Sequence, residues 1–273
     1  MSPDPAALTE WIGRTETASE TLTPETIRRF RATLDMDPDA AAPNLIHLCL
    51  APPVERPGAL GRDGHPAKGG FLPPVDLPVR MWAGGAYHFT DTLRAGDSVT
   101  RTSRIDAITP KQGRSGPLCF VTVIHALSTP RGPALTERHD IVYRSEGQVP
   151  RPTEPAPRGA HVARAEITPV TLFRYSALTF NGHRIHYDHP YATEVEGYPG
   201  LVIHGPLQAT LLYHFAARLL GVQPARFEFR NRAPLFIGDT VELHATPDGD
   251  DALRLWTAAK GGPVAMEGRV TRA

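Results

Sequence analysis

The chain has 273 residues, 41% hydrophobic and 21% charged, enough for one large domain or two modest ones around a true core. Lys plus Arg and Asp plus Glu each number 29, so net charge is zero and nothing global favours nucleic acid or an anionic membrane as a partner. No apolar run of transmembrane length and no signal peptide is read. The two cysteines, Cys49 and Cys119, sit in apolar contexts that fit buried free thiols in a reducing compartment, so a soluble cytoplasmic protein is expected.

Residues 1–20 form an acidic lead containing proline. Thr23-Pro24-Glu25 then opens a helix, with Ile27, Phe30 and Leu34 at i, i+3 and i+7. Residues 35–80 are rich in Pro and Gly and carry little periodicity. A loop of that length in a compact domain is functional or inserted. Strands are predicted over 86–93, 97–109, 117–127 and 135–144, with Gly and Pro turn signals between them. The Pro-rich stretch 145–160 reads as a linker, which places a domain boundary between residues 150 and 151.

Beyond the linker, Thr168 can cap a helix and Pro169 suits its first position. Val170, Phe173, Ala177 and Phe180 form one apolar stripe along it, and Asn181-Gly182 is expected to end it because both residues tolerate positive φ. His183, Arg184, His186, Asp188 and His189 follow within seven positions, a density of titratable groups that fits a catalytic apparatus. A second apolar segment, Leu207–Leu220, reads as a helix entered through His204-Gly205-Pro206. Strands are predicted again over 225–232, 239–247, 252–260 and 263–271.

The order repeats itself. Thr23-Pro24-x-Thr26-Ile27 corresponds to Thr168-Pro169-x-Thr171-Leu172, and Leu93-x-x-Gly96-Asp97-x-Val99 to Leu235-x-x-Gly238-Asp239-x-Val241, at nearly the same offset. A duplicated α+β unit follows, with helix before strands in each half and an antiparallel sheet covered on one face by helix. The first half has no counterpart of the His-rich stretch or of the Leu/Ala helix. One site per chain is therefore expected, carried by the second half and walled in by the first.

These residues resemble the MaoC-like hydratases and dehydratases of the hotdog superfamily. That family's motif runs, in outline, Leu-Ser-Gly-Asp-x-Asn-Pro-Ile-His-x-Asp. Here the register reads Leu178-Thr179-Phe180-Asn181-Gly182-His183-Arg184-Ile185-His186-Tyr187-Asp188, so Ile185, His186 and Asp188 match while Asn181 stands where the family has its catalytic Asp. Gly200 to Gly205 is similar to the segment entering the central hotdog helix. Asp63-Gly64-His65-Pro66 and Arg80-Met81-Trp82-Ala83-Gly84-Gly85 bring the chain closer to the two-hotdog branch that includes mesaconyl-C4-CoA (3-methylfumaryl-CoA) hydratase and the mitochondrial 3-hydroxyacyl-thioester dehydratases. The resemblance implies a double hotdog of class α+β, a degenerate N-terminal hotdog at 1–150 and a catalytic one at 151–273. It also implies reversible addition of water to a 2-enoyl-CoA, the CoA thioester being substrate and no metal, flavin or nicotinamide serving as cofactor.

Such hydration needs a donor for charge developing on the thioester oxygen and groups that move protons. The N–H of Gly205 at a helix entrance suits the first task, and His186, which titrates near neutral pH, the second. Asn181 cannot take a proton but can hold water or the thioester oxygen, and His183 can share the proton transfer or simply fix the loop. Arg184 can pair with a second carboxylate on the substrate or with Asp188. Arg80, His204 and Trp82 are the remaining candidates for substrate contact, and core packing is the plain alternative for Trp82. A short dicarboxylic acyl-CoA such as mesaconyl-C4-CoA or itaconyl-CoA fits best. Rival readings are a dehydratase working on acyl-carrier protein, a hotdog thioesterase, an inactive binding subunit, and a metal site at His183, His186 and His189. Edge-to-edge pairing of hotdogs makes a homodimer the expected assembly.

Overall fold

The computed structural model of the chain describes residues 8–113, 116–145 and 153–272. The boundary expected at 150/151 lies outside the described residues. The first run of elements comprises β1 (Thr15–Thr21), α1 (Pro24–Thr33), β2 (Val79–Phe89), β3 (Ser98–Gly113), β4 (Gly116–Thr129) and β5 (Gly132–Arg144). The second comprises β6 (His161–Ala165), α2 (Pro169–Leu178), α3 (Gly205–Leu220), β7 (Arg226–Asn231), β8 (Val241–Pro247), β9 (Ala252–Ala259) and β10 (Val264–Thr271). All ten strands join one antiparallel sheet in the order β1-β3-β4-β5-β2-β7-β10-β9-β8-β6.

That order is symmetric about its middle. Reading inward from each edge, β1 matches β6, β3 matches β8, β4 matches β9, β5 matches β10, and β2 meets its counterpart β7 at the seam, with Gly84 opposite Arg230. The repeated sequence anchors perform the same local task in both halves. Thr23 Oγ1 accepts from Thr26 N at 3.0 Å and Thr168 Oγ1 from Thr171 N at 3.2 Å, each capping a helix that starts on proline. Asp97 Oδ2 accepts from Arg94 N at 2.7 Å and Asp239 Oδ2 from Phe236 N at 2.8 Å, tightening the turns that lead into β3 and β8.

α3 is the central helix. Leu207, Ala209, Leu212, Tyr213 and Ala216 on it are buried, and it packs on the strands of its own half. Burying each large apolar side chain contributes about 1.5–3 kcal/mol, which explains why a helix apolar on every side belongs inside a curved sheet. Where the second half has α3 between α2 and β7, the first half has only short 3-10 turns at Ile46–Cys49 and Pro57–Ala59 between α1 and β2. The chain therefore encloses a cavity of about 1710 Å³ lined from both halves. No helix among the described residues is long and apolar enough to cross a membrane.

Three expectations need correction. Val170, Phe173 and Phe180 are 59%, 68% and 60% exposed, and Ala177 is exposed with them; Leu172 and Tyr175 form the buried face of α2. The helix carries apolar residues on two faces, and the core takes the one where the Tyr175 ring meets His204 and Thr210. The helix also ends before Asn181-Gly182, because Phe180 itself adopts φ +50° and Asn181 N bonds back to Ser176 O. The edge strands β1 and β6 escaped the strand reading, since Thr15–Thr21 is a largely exposed run of Thr, Glu, Ser and Ala with no alternation to read. The strand predicted from residue 86 begins instead at Val79, and so takes in the Arg80-Met81-Trp82 motif.

Candidate active site

The His-rich loop leaves α2 through a 3-10 turn at Arg184–His186 that buries Ile185 and His186. His186 Nδ1 lies 2.7 Å from Val202 O. A carbonyl only accepts, so Nδ1 carries the proton and Nε2 keeps its lone pair for the cavity that the ring lines. The ring stacks on His204 with centroids 3.7 Å apart and planes 20° apart. His204 is the N-cap of α3, so this stack sets the imidazole beside the first amide of that helix, Gly205. The Gly205 N–H has no hydrogen-bond partner among the described residues, and Gly205 lines the same cavity. A Cβ at Gly205 would come within 2.9 Å of the Trp82 ring and 3.1 Å of Asn231 Nδ2, so only glycine fits there.

Burial pushes the His186 imidazole down to about 4, more than the Val202 hydrogen bond raises it, which leaves the ring neutral at pH 7. His204 is fully buried, its Nε2 bonded to Ser176 Oγ at 2.8 Å. It does not line the cavity, so the expected substrate contact is corrected: His204 lies behind His186 and orients it.

Asn181 lines the cavity, and its Oδ1 accepts from His183 N at 2.9 Å, which leaves the amide nitrogen to face a ligand. His183 stands between His186 (5.4 Å between centroids) and His65 (4.4 Å). Burial, then the neighbouring His65 and His186, hold its pKa well below the usual value.

The sequence reading did not assign a role to His65 or Asp63, which the long first-half loop carries to the second-half site. His65 Nδ1 and Asp63 Oδ2 are 3.1 Å apart, and Arg80 Nη2 reaches Asp63 at 3.4 Å. Burial alone would raise the Asp63 carboxyl; the hydrogen bond from His65 and the charges of His65 and Arg80 outweigh it and hold it below the usual range. The loop is pinned backbone to backbone. Gly64 has φ +88°, and a Cβ there would stand 2.0 Å from Gly182 O, while Arg184 N donates to Asp63 O at 2.9 Å.

For Arg184, of the two alternatives, the structure forms the pair with Asp188. Its Nε and Nη2 bond Asp188 Oδ2 at 3.0 and 2.8 Å, Nη1 bonds Arg62 O, and the guanidinium lies over the Tyr191 ring. It is committed to bracing the loop and does not line the cavity. Arg80 and Trp82 do line it. Trp82 lies against Phe229 and His139, and Asn231 Nδ2 donates to its carbonyl.

Two groups among the described residues bring three ligand atoms within 4.8 Å of one another: Asp63, His65 and His183, and His125, Glu137 and His139. In the first, the Arg80 guanidinium beside Asp63 opposes a second cation. His189, the third histidine of the rival metal reading, is exposed, and His186 Nδ1 is taken by Val202.

Residues 45–237 match the family described as hydroxyacyl-thioester dehydratase type 2. The chain belongs to this family. It is 43% identical over 249 residues to mesaconyl-C(4)-CoA hydratase of Chloroflexus aurantiacus, spanning 88% of this chain and 89% of that one. Among solved structures, a MaoC-like dehydratase from Phytophthora capsici aligns with a TM-score of 0.72 at 14% identity over 99% of both chains. A Mycobacterium tuberculosis protein described as a double hotdog aligns at 0.54 and 14% identity, over 95% of this chain and 96% of that one. At such identities these two speak for the fold alone. The family membership makes the chain a hydro-lyase, and the structural neighbours give it a double-hotdog fold, in keeping with the expected α+β class.

Gly64→Ala is expected to cost more than about 1 kcal/mol in denaturant unfolding and to lower turnover, because the Asp63–His65 loop must move away from Gly182. A variant as stable and active as the parent contradicts the pinning. Burial also holds His125, His186 and His214 at about 4. The unfolded chain titrates its histidines near about 6.5, so between those values it binds more protons than the folded one. The Tm from calorimetry should therefore fall as pH drops from about 6.5 to about 4; a flat Tm across that window rules the account out.

Proposed function

We propose that the protein hydrates a short 2-enoyl-CoA carrying a second carboxylate, of which mesaconyl-C4-CoA and itaconyl-CoA are examples, and catalyses the reverse dehydration. The observation that carries the reading is the His186 ring, neutral and fixed by Val202 and His204 beside the unpaired amide of Gly205. The relative from Chloroflexus supports the choice of substrate class.

In the proposed reaction the thioester oxygen rests on the Gly205 N–H, where the helix N-terminus favours negative charge. His186 Nε2 takes a proton from water as its oxygen bonds to Cβ, and the electron pair of the double bond moves toward the thioester. The imidazolium then returns the proton to Cα, so no proton or electron is left over. The Asn181 amide holds the water, and His183, joined to Asp63 through His65, keeps the ring and its water in register. This chemistry calls for no metal, flavin or nicotinamide. We take the cytoplasm as the compartment, a reading supported by the free buried thiols of Cys49 and Cys119.

The family match also favours a second reading, dehydration of a hydroxyacyl thioester, for which acyl-carrier protein is the alternative carrier to CoA. Assaying CoA and carrier-protein thioesters of one acyl group separates the two. His186→Ala should lose at least ~10² in turnover while remaining folded, and near-normal turnover removes His186 from the mechanism. The parent enzyme should keep its kcat/KM down to about pH 4, where His186 protonates; an acid limb at an ordinary histidine value contradicts its assignment as base. A homodimer is proposed as well, supported by the exposed apolar residues Val170, Phe173 and Phe180 along α2. Sedimentation should give twice the chain mass, and a monomer at micromolar concentration excludes it.

A further inference from the structure

The cavity runs on past Trp82 into the first half, and its wall there is polar. Glu137 on β5 is only 4% exposed; His139 follows two residues later on the same face, and His125 lies across from Glu137 on β4. His139 Nδ1 is 3.2 Å from Glu137 Oε1, and His47 Nε2, from the 3-10 turn, is 3.6 Å from Oε2. His125 Nδ1 bonds Ser103 Oγ at 2.8 Å, and Arg101 on β3 completes the wall. Burial alone would raise the Glu137 carboxyl; hydrogen bonding to its histidines keeps it well below the usual range. Burying an ionised carboxylate is costly, and water addition to the enoyl group uses none of these residues.

The groups left unpaired indicate the ligand. Both nitrogens of His47, Trp82 Nε1 and Arg101 Nε are buried without a hydrogen-bond partner, while Arg101 Nη2 lies 3.8 Å from the Glu16 carboxylate. An indole and a guanidinium can only donate, so whatever fills this end must bring acceptors. Glu137 holds His139 Nδ1 by a hydrogen bond and lies 3.6 Å from His47 Nε2, so both rings stand at this wall with a nitrogen free of it.

We propose that this end of the cavity is a carboxylate subsite that receives the second carboxylate of the acyl group, with the Trp82 and Arg101 N–H groups as donors and Glu137 positioning the His47 and His139 rings that line it. The proposal rests on the hydratase reading and names the residues that give that site its substrate class. Trp82 connects the two ends: it lies against Gly205 on one side, and its ring is 5.4 Å from that of His139 on the other. One indole thus separates the thioester oxygen from the subsite, a span that a short diacyl group bridges and a long aliphatic tail overruns. A metal ion at His125, Glu137 and His139 is served less well, because the Arg101 guanidinium repels it and the indole N–H cannot ligate it.

The test compares mesaconyl-C4-CoA, its carboxylate methyl ester and crotonyl-CoA on the parent protein, on Glu137→Gln and on Trp82→Phe. The parent should prefer the free acid over its ester by at least tenfold in kcat/KM. In both variants the ratio of kcat/KM for mesaconyl-C4-CoA to that for crotonyl-CoA should fall at least tenfold, chiefly through KM. Hydration of crotonyl-CoA and the ester as fast as the free acid overturns the subsite and leaves the hydratase reading standing. Hydration of none of the three overturns that reading and the subsite with it. Equal proportional losses on both substrates make Glu137 and Trp82 merely structural, and stoichiometric zinc that is lost in Glu137→Gln replaces the carboxylate with a cation. The free-acid and ester comparison needs no variant, so it decides the matter even if the substituted chains fail to fold.

Discussion

The imidazole of His186 is held edge and face: Nδ1 donates to the Val202 carbonyl and the ring lies flat on His204. Val202 and His204 both belong to the short segment that enters α3, so one stretch of backbone fixes both the His186 ring and the Gly205 amide on which the proposed reaction depends. Neither can shift without the other. Burying α3 inside the sheet anchors that segment, and the energy that places the site is therefore largely the apolar burial of Leu207, Leu212, Tyr213 and their neighbours.

The duplication gives the two halves the same strands and the same capped helix and then lets them diverge at one element. The second half keeps its central helix and gains a helix N-terminus as an anion site. The first half keeps only 3-10 turns, and the space left open becomes cavity. Its long loop also crosses over to lend Asp63 and His65 to the neighbouring site. In this chain Asn181 occupies the motif position of a catalytic carboxylate, and the carboxylate in contact with the histidine cluster is Asp63, supplied from 118 positions earlier in sequence and locked by the approach of Gly64 to Gly182.

Electrostatics divides the cavity. Around His183, His186 and His204 burial dominates and keeps the imidazoles neutral, as a base must be. Around Glu137 the carboxylate dominates and remains ionised against its histidines. One cavity thus offers a neutral base near the thioester and a charged, donor-rich wall further in, an arrangement suited to a polar acyl group rather than a hydrocarbon chain.

Much of this was written in local sequence. Thr-Pro caps, Gly-Asp turns and strand alternation identified two similar α+β halves, and the His-rich stretch marked where titratable groups gather, because caps and turns are decided by a few adjacent residues. The face of α2 was not legible, since Val170-Phe173 and Leu172-Tyr175 are both apolar and only the packed core chooses between them. Leu135, Glu137, His139, Ile141 and Tyr143 alternate along one strand, so the polar pair on an apolar face was visible, but nothing local said that His47 would meet it. Local sequence could neither choose Asp188 over a substrate carboxylate for Arg184 nor see the stack of His204 on His186, because a side chain's partner across the fold decides whether it reaches a ligand. Sequence by itself determined the repeat, the caps and the chemistry-bearing stretch. Tertiary structure alone decided which of those groups share a cavity, because that depends on long-range burial and on backbone approaches between segments more than a hundred residues apart.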